Sequence, residues 1–332
     1  SNHNFSKGFF YVADGTFNFY DTEKKTAYQD CYASLNAGKT LGIGNYDSAN
    51  IIHSNGKFYL LVGTSTSNRD HFYIVDAKTL YYENSAAVGA NLSGLTILNE
   101  QYGLVTGDGI RRIDLKSLNN VRIKNERLLC FYNSIIYNGK VLSNDTYKDE
   151  SKVKYYDVNE LIAAKEGEAP AVTELDIIQK QKINFVLAKD GNVYTLESAD
   201  NGCNIVKIKN DFTLEKVFAN FQPAKGPYHS SPTIGMVASE TENIIYLVST
   251  DGAIYKYILG DSDSLKAPFI AAESGVSITA PLQLNQQSGE LYVTYTEELK
   301  DESKIVVYSK DGKVLHTVDC GESVPSQILF NN

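Results

Sequence analysis

A short apolar strand followed by a turn recurs seven times along the chain, and two of its positions stay apolar in every copy. The copies are Phe17–Asp21, Phe72–Asp76, Ile110–Asp114, Val153–Asp157, Ile205–Lys209, Ile254–Ile258 and Ile305–Ser309. Position one reads Phe, Phe, Ile, Val, Ile, Ile, Ile; position four reads Tyr, Val, Ile, Tyr, Ile, Tyr, Tyr. Successive copies start 55, 38, 43, 52, 49 and 51 residues apart. Self-similarity at roughly 40–50 residues marks a propeller or another repeat array.

Each repeat resolves into four strands. Between Ile51 and Val88 the order is strand, Asn55-Gly56 turn, strand Phe58–Val62, polar loop, strand Phe72–Val75, Asp76–Thr79 turn, and a last strand that Leu80–Glu83 begins. Asn-Gly is a hairpin signal. Later repeats place Asn138-Gly139, Asp190-Gly191 and Ser288-Gly289 at the same turn. Phe58–Val62 and Ile244–Val248 are continuously apolar. Such runs predict burial on both faces, as for a blade between two neighbours.

The ends complete the pattern. Phe9–Val12 and Phe17–Tyr20 supply second and third strands with no first strand before them. Val324–Phe330 is a strand with no repeat after it. Pairing the two closes blade one from both termini and predicts an all-β, seven-bladed β-propeller, one domain over residues 1–332. Asn159–Lys165 has helix formers and predicts a short surface helix between third and fourth strands.

Composition narrows the function classes. Net charge is −9 and no basic run exists, which argues against nucleic acid and anionic membranes as partners. No apolar run approaches the ~20 residues of a membrane span. The four cysteines, Cys31, Cys130, Cys203 and Cys320, form no zinc pattern. Ring closure makes Cys31–Cys320 the first disulfide pair to consider, with buried free thiols the alternative. Ser1-Asn2 reads as the remnant of a cleaved tag, and the expectation is that an export signal has been removed.

No phosphate-binding loop, dinucleotide fingerprint, zinc-protease motif or nucleophile elbow is present. Asp261–Ser264 is too short an oxygen set for an EF-type calcium loop. His53 and His316 fall in or beside strands; His71 and His229 fall in segments read as loops. The residues call for no cofactor and no metal, and no enzymatic activity is expected.

In a propeller, second-to-third-strand loops and blade-to-blade connections share one face, and loops on a rigid scaffold carry function. The long members are Asn36–Ser48, Thr64–His71, Ser198–Asn204, Asn220–Ser231 and Thr296–Lys304. The ligand-binding candidates on them are Tyr46, Asp47, Arg69, Asp70, Tyr228 and His229. Tyr and Arg dominate binding energies at interfaces. Arg69 would pair with an anionic ligand group or with Asp70. Tyr46 and Tyr228 would stack on a flat ligand or pack on a neighbouring loop.

Several framework segments carry a resemblance: Gly8–Val12, Asn55–Val62, Phe72–Thr79, Ile254–Tyr257, Ser288–Val293 and Val324–Phe330. On these the whole chain resembles the YncE-like seven-bladed propeller lipoproteins of Bacteroidetes. The resemblance implies an exported protein, periplasmic or anchored at the outer-membrane surface. Some members of that group capture vitamin B12 and pass it to an outer-membrane transporter; others sit beside glycan-uptake transporters. The chain is also similar to quinoprotein dehydrogenase subunits, without an acid–base constellation. Three functions are therefore open. The first is capture of a small ligand, a corrinoid among the options, for a transporter. The second is a protein–protein scaffold using the loop face. The third is a propeller-type hydrolase or lyase with a metal held by channel carboxylates and amides.

Overall fold

The fifth residue of the repeated motif shapes the turn after it. Asp76 Oδ1 accepts the backbone N–H groups of Lys78 at 2.9 Å and Thr79 at 2.8 Å. Asp114 does the same for Lys116 and Ser117, both at 2.9 Å. The turns end on Leu80 and Leu118, at φ 63° and 62°. Left-handed backbone is costly for a branched residue. Burial of both leucines offsets that cost. In the fourth repeat Asp157 instead accepts from the N–H of Glu160 and caps the helix Val158–Ala163. The predicted helix is therefore real and starts one residue early.

These carboxylates link stability to pH. The N–H groups of Ser117 and Lys116 hold the Asp114 carboxyl below its ordinary value. A depressed folded-state pKa gives stability that is present above the unfolded value and lost as pH falls through the folded one. Asp114→Ala should thus lower Tm at neutral pH, and its gap from wild type should narrow from about pH 4 downward. Melting curves across pH check this; a constant gap would contradict it.

The computed structural model describes residues 4–41, 49–63, 70–89, 94–127, 131, 134–144, 150–180, 183–225 and 234–331. The fold is a seven-bladed β-propeller. Blade one runs Gln327–Leu329, Gly8–Ala13, Thr16–Asp21, Thr26–Tyr28 from first to fourth strand. The C-terminal strand pairs antiparallel with Gly8–Ala13 through Phe10↔Leu329, Tyr11↔Ile328 and Val12↔Gln327. The predicted closure holds, over a shorter strand than Val324–Phe330.

Blade two is Ala49–Ser54, Lys57–Val62, Asp70–Asp76, Tyr82–Gly89. Blade three is Gly94–Ile97, Tyr102–Thr106, Asp108–Asp114, Asn120–Arg127. Blade four is Ile135–Tyr137, Lys140–Ser143, Ser151–Asp157, Val172–Gln179. Blade five is Val186–Leu187, Val193–Ala199, Gly202–Ile208, Leu214–Phe221. Blade six has Met236–Ala238, Ile244–Val248 and Ile254–Ile258, with Ile270 bridging Ile254 in the fourth place. Blade seven splits its first strand into Val276–Ile278 and Gln283–Leu284, before Leu291–Glu297, Ser303–Tyr308 and Val314–Gly321. The chain divides into two compact units: 1–147, 154–173 and 327–332 in one, 148–153 and 174–326 in the other.

The two recurrent apolar positions explain why blades stack. Every position-one residue is fully buried, at 0% exposure, and every position-four residue lies at or below 7%. Positions one and four point to opposite faces of a strand. Phe72 and Ile110 pack toward the following blade, in the clusters shared by blades two and three and by blades three and four. Val75 and Ile113 pack toward the preceding blade. In the second unit Ile254 faces blade seven and Tyr257 faces blade five. The apolar run Phe58–Val62 splits the same way. Phe58, Leu60 and Val62 join one cluster; Tyr59 and Leu61 join the next.

Amides tie neighbouring first strands within each unit. Gln327 Nε2 donates to the carbonyl of Ile51 at 2.8 Å. Asn184 both donates to Met236 O and accepts from Met236 N–H. Gly235 sits at φ 91°, and a Cβ there would lie 2.9 Å from Asn184 Oδ1. Only glycine fits that approach without strain.

The suggested Cys31–Cys320 disulfide is absent. Cys31, Cys203 and Cys320 are free thiols. Burial pushes Cys31 and Cys203 up to about 11 and Cys320 to about 12. The thiolate is the nucleophile, so these groups should be inert near neutrality. In a Cys130→Ser variant, we expect thiol reagent at pH 8 to label nothing rapidly until denaturant is added. Fast labelling of the native protein would contradict that burial.

Candidate binding site

Blade one differs from its neighbours in two ways that together open a cavity. Its second and third strands join through Asp14-Gly15, at φ 50° and 74°, a tight type I′ turn. Its fourth strand is only Thr26–Tyr28. The connection to blade two then fills the vacated edge with the helix Cys31–Leu35. Between the turn and this helix lies a cavity of about 240 Å³.

Its wall combines Thr16, Phe17, Asp30, Tyr32, Thr40 and Leu41, with Gly15 and Ala33. Asp30 holds a left-handed conformation, φ 50° and ψ 49°, and its carboxylate caps no helix N–H. Its own N–H donates to buried Asn18 Oδ1 at 2.9 Å, which fixes the backbone there. Thr16 Oγ1 donates to the Ala13 carbonyl at 2.8 Å.

The aromatic part of the wall is Phe17 and Tyr32, with Tyr73 and Tyr82 close to Tyr32. Tyr32 is buried, and its hydroxyl has no hydrogen-bond partner among the described residues. Burial, then Tyr73 and Tyr82, pushes its hydroxyl up to about 12. It therefore stays a neutral donor. Tyr73 donates to the Thr40 carbonyl at 3.4 Å. Asn36 locks the helix end, donating to Tyr32 O and Leu80 O and accepting from Tyr82 N–H at 2.7 Å. The wall is rigid, with one carboxylate, two threonine hydroxyls and aromatic surface.

The sequence candidates fall differently. Tyr46, Asp47, Arg69, Tyr228 and His229 lie outside the described residues. Asp70 is described: it opens the third strand of blade two, is buried, and pairs with Gly89 across a bulge. His71 is a strand residue rather than a loop residue, paired with Val62. Ser198–Asn204 and Thr296–Lys304 are not open loops. They are strand ends around short turns, with Ser198↔Cys203 and Thr296↔Ser303 in register. The strand pairing runs further toward the loop face than polarity suggests.

Sequence reasoning missed Thr16, Asp30 and Tyr32. Asp14-Gly15 was the available signal, a two-residue hairpin turn where blades two and seven carry longer connections. Among the described residues no group of three or more His, Cys, Asp or Glu is placed to hold a metal. No helix among them is long and apolar enough to cross a membrane.

A family described as a domain of unknown function, DUF5074, matches residues 5–331. The chain belongs to this family. No match was found among curated proteins. A crystal structure from Bacteroides thetaiotaomicron, described as a quinonprotein alcohol dehydrogenase-like protein, is 99% identical at TM-score 0.96. The match covers 100% of this chain and 80% of that one. A functionally unknown protein from Desulfotomaculum acetoxidans matches at TM-score 0.61 and 12% identity, over 98% of this chain and 99% of that one. A dihydro-heme d1 dehydrogenase matches at TM-score 0.56 and 12% identity, over 98% and 75%. The last two show the fold alone.

A quinone cofactor would need polar and cationic groups converging on its ring oxygens. The cavity wall supplies one carboxylate, three hydroxyls (Thr16, Tyr32 and Thr40) and no cationic side chain. These residues do not fit such a group.

Proposed function

We propose that this protein is a non-catalytic, exported binding propeller that captures a small ligand at its loop face for an outer-membrane transporter. The observation that supports it is the cavity beside Cys31–Leu35. It offers a carboxylate, hydroxyls and an aromatic wall on a scaffold fixed by Asn36 and Asn18. Few polar groups set in an otherwise apolar concavity are what ligand sites use to fix orientation.

Size limits the occupant. Pockets that enclose drug-sized ligands run to about 300–1,000 Å³. A cavity of about 240 Å³ takes a small polyol, sugar or amine, or one substituent of a larger molecule such as a corrinoid. Asp30 favours a hydroxyl-rich or cationic group. Tyr46, Arg69, Tyr228 and His229 remain proposed contacts for the rest of a larger ligand.

A thermal-shift screen with corrinoids, haem, glycans and divalent cations tests this. A ligand that binds the native state raises apparent stability by mass action. We expect one organic class to raise Tm, with no effect of chelator. Stoichiometric metal after purification, with hydrolysis abolished by chelator, would replace this reading with an enzymatic one.

A further inference from the structure

Two arginines stand directly opposite each other on blade three. Arg111 on Asp108–Asp114 pairs in register with Arg122 on Asn120–Arg127. Cross-strand partners sit about 5 Å apart at Cβ, and like charges there are destabilising. Arg111 shares its strand face with Ile113, which packs toward blade two. From blade two, Ala86 and Val88 enter the same cluster, and Asn84 reaches the Lys116 carbonyl. Among these residues blade two presents no carboxylate to the pair.

The polar partners are too few for two guanidiniums. Arg122 Nη2 meets Asp108 Oδ1 at 3.0 Å. Arg111 Nη1 donates to Asn120 Oδ1 at 3.1 Å. The Nε of each is buried without a hydrogen-bond partner among the described residues. Burial first, and then the Arg122 charge, pull Arg111 below its ordinary value. Arg112, the adjacent arginine, is placed differently. Its Nη1 donates to the Leu161 and Ala164 carbonyls at the helix of blade four.

We propose that Arg111 and Arg122 form an oxyanion-binding site, for a carboxylate, phosphate or sulfate ester, on the third and fourth strands of blade three. One Asp108 neutralises one of two guanidinium charges. An oxyanion bridging the terminal nitrogens supplies the second and relieves the repulsion. Planar forks suit such oxygens bidentately. The site is independent of the cavity in blade one.

Calorimetric titration of the whole chain with sodium acetate, phosphate and sulfate tests it, at ionic strength held constant with chloride. We expect saturable 1:1 binding of at least one of them, and the preferred probe names the ligand source. Arg111→Gln and Arg122→Gln should each weaken it about tenfold or more, while Lys116→Ala leaves it unchanged. Arg122→Lys keeps the charge and removes the fork, so it carries the test if a Gln variant does not fold. It too should lose most of the affinity. Absence of binding above chloride, or unchanged affinity in these arginine variants, would overturn the assignment.

Discussion

Deleting residues 324–332 should abolish cooperative folding. Gln327–Leu329 is the first strand of blade one, supplied from the far end of the chain. Ile328 and Leu329 are buried, at 1% and 6% exposure. Each such side chain contributes about 1.5–3 kcal/mol. The cut also bares the edge of Gly8–Ala13, where Phe10, Tyr11 and Val12 are buried, and removes the Gln327 bond to blade two. The sum exceeds about 5 kcal/mol, the lower end of a typical domain's whole stability. Circular dichroism of the truncated chain should show no sharp transition. An unchanged melting curve would mean that closure contributes nothing.

Phe10→Ala should be the most damaging single substitution in blade one. Phe10 is fully buried. Its ring meets Phe5, Phe17, Phe19 and Phe58, the last edge-on at 5.6 Å. These rings are the seam between blades one and two. Truncating a buried Phe costs about 3–5 kcal/mol through lost burial and the cavity left behind. Tyr81→Ala is the control: Tyr81 is 49% exposed, and such surface changes stay within about 0.5 kcal/mol. Denaturant midpoints of the two variants decide the point. Equal midpoints would contradict the seam.

The fold was legible because its determinants repeat. Burial at positions one and four is required in every blade, so the same residue classes recur at Phe17, Phe72, Ile110 and their counterparts. The closing strand was legible for a related reason, since each terminus lacked what the other had. Departures from the repeat were not legible. The broken first strand of blade seven and the bridged edge of blade six reflect tertiary fit rather than local propensity. The site was less legible still. Thr16, Asp30 and Tyr32 are ordinary residue types, and only the short fourth strand Thr26–Tyr28 brings them together. Loop length pointed to Thr64–His71, Ser198–Asn204 and Thr296–Lys304, yet His71, Ser198 and Thr296 belong to ladders. Polar side chains on strands near a loop face read as loop in sequence.

The most direct test of ligand capture fills the cavity. Ala33 lines it from an exposed position on the helix, so Ala33→Trp blocks the space without disturbing the core. Calorimetry compares this variant with wild type, using the compound that most raises Tm in the screen. The account predicts binding to wild type and loss of at least tenfold in affinity for Ala33→Trp, about 1.4 kcal/mol. Equal affinity in both proteins would contradict the cavity beside Cys31–Leu35 as the site of capture.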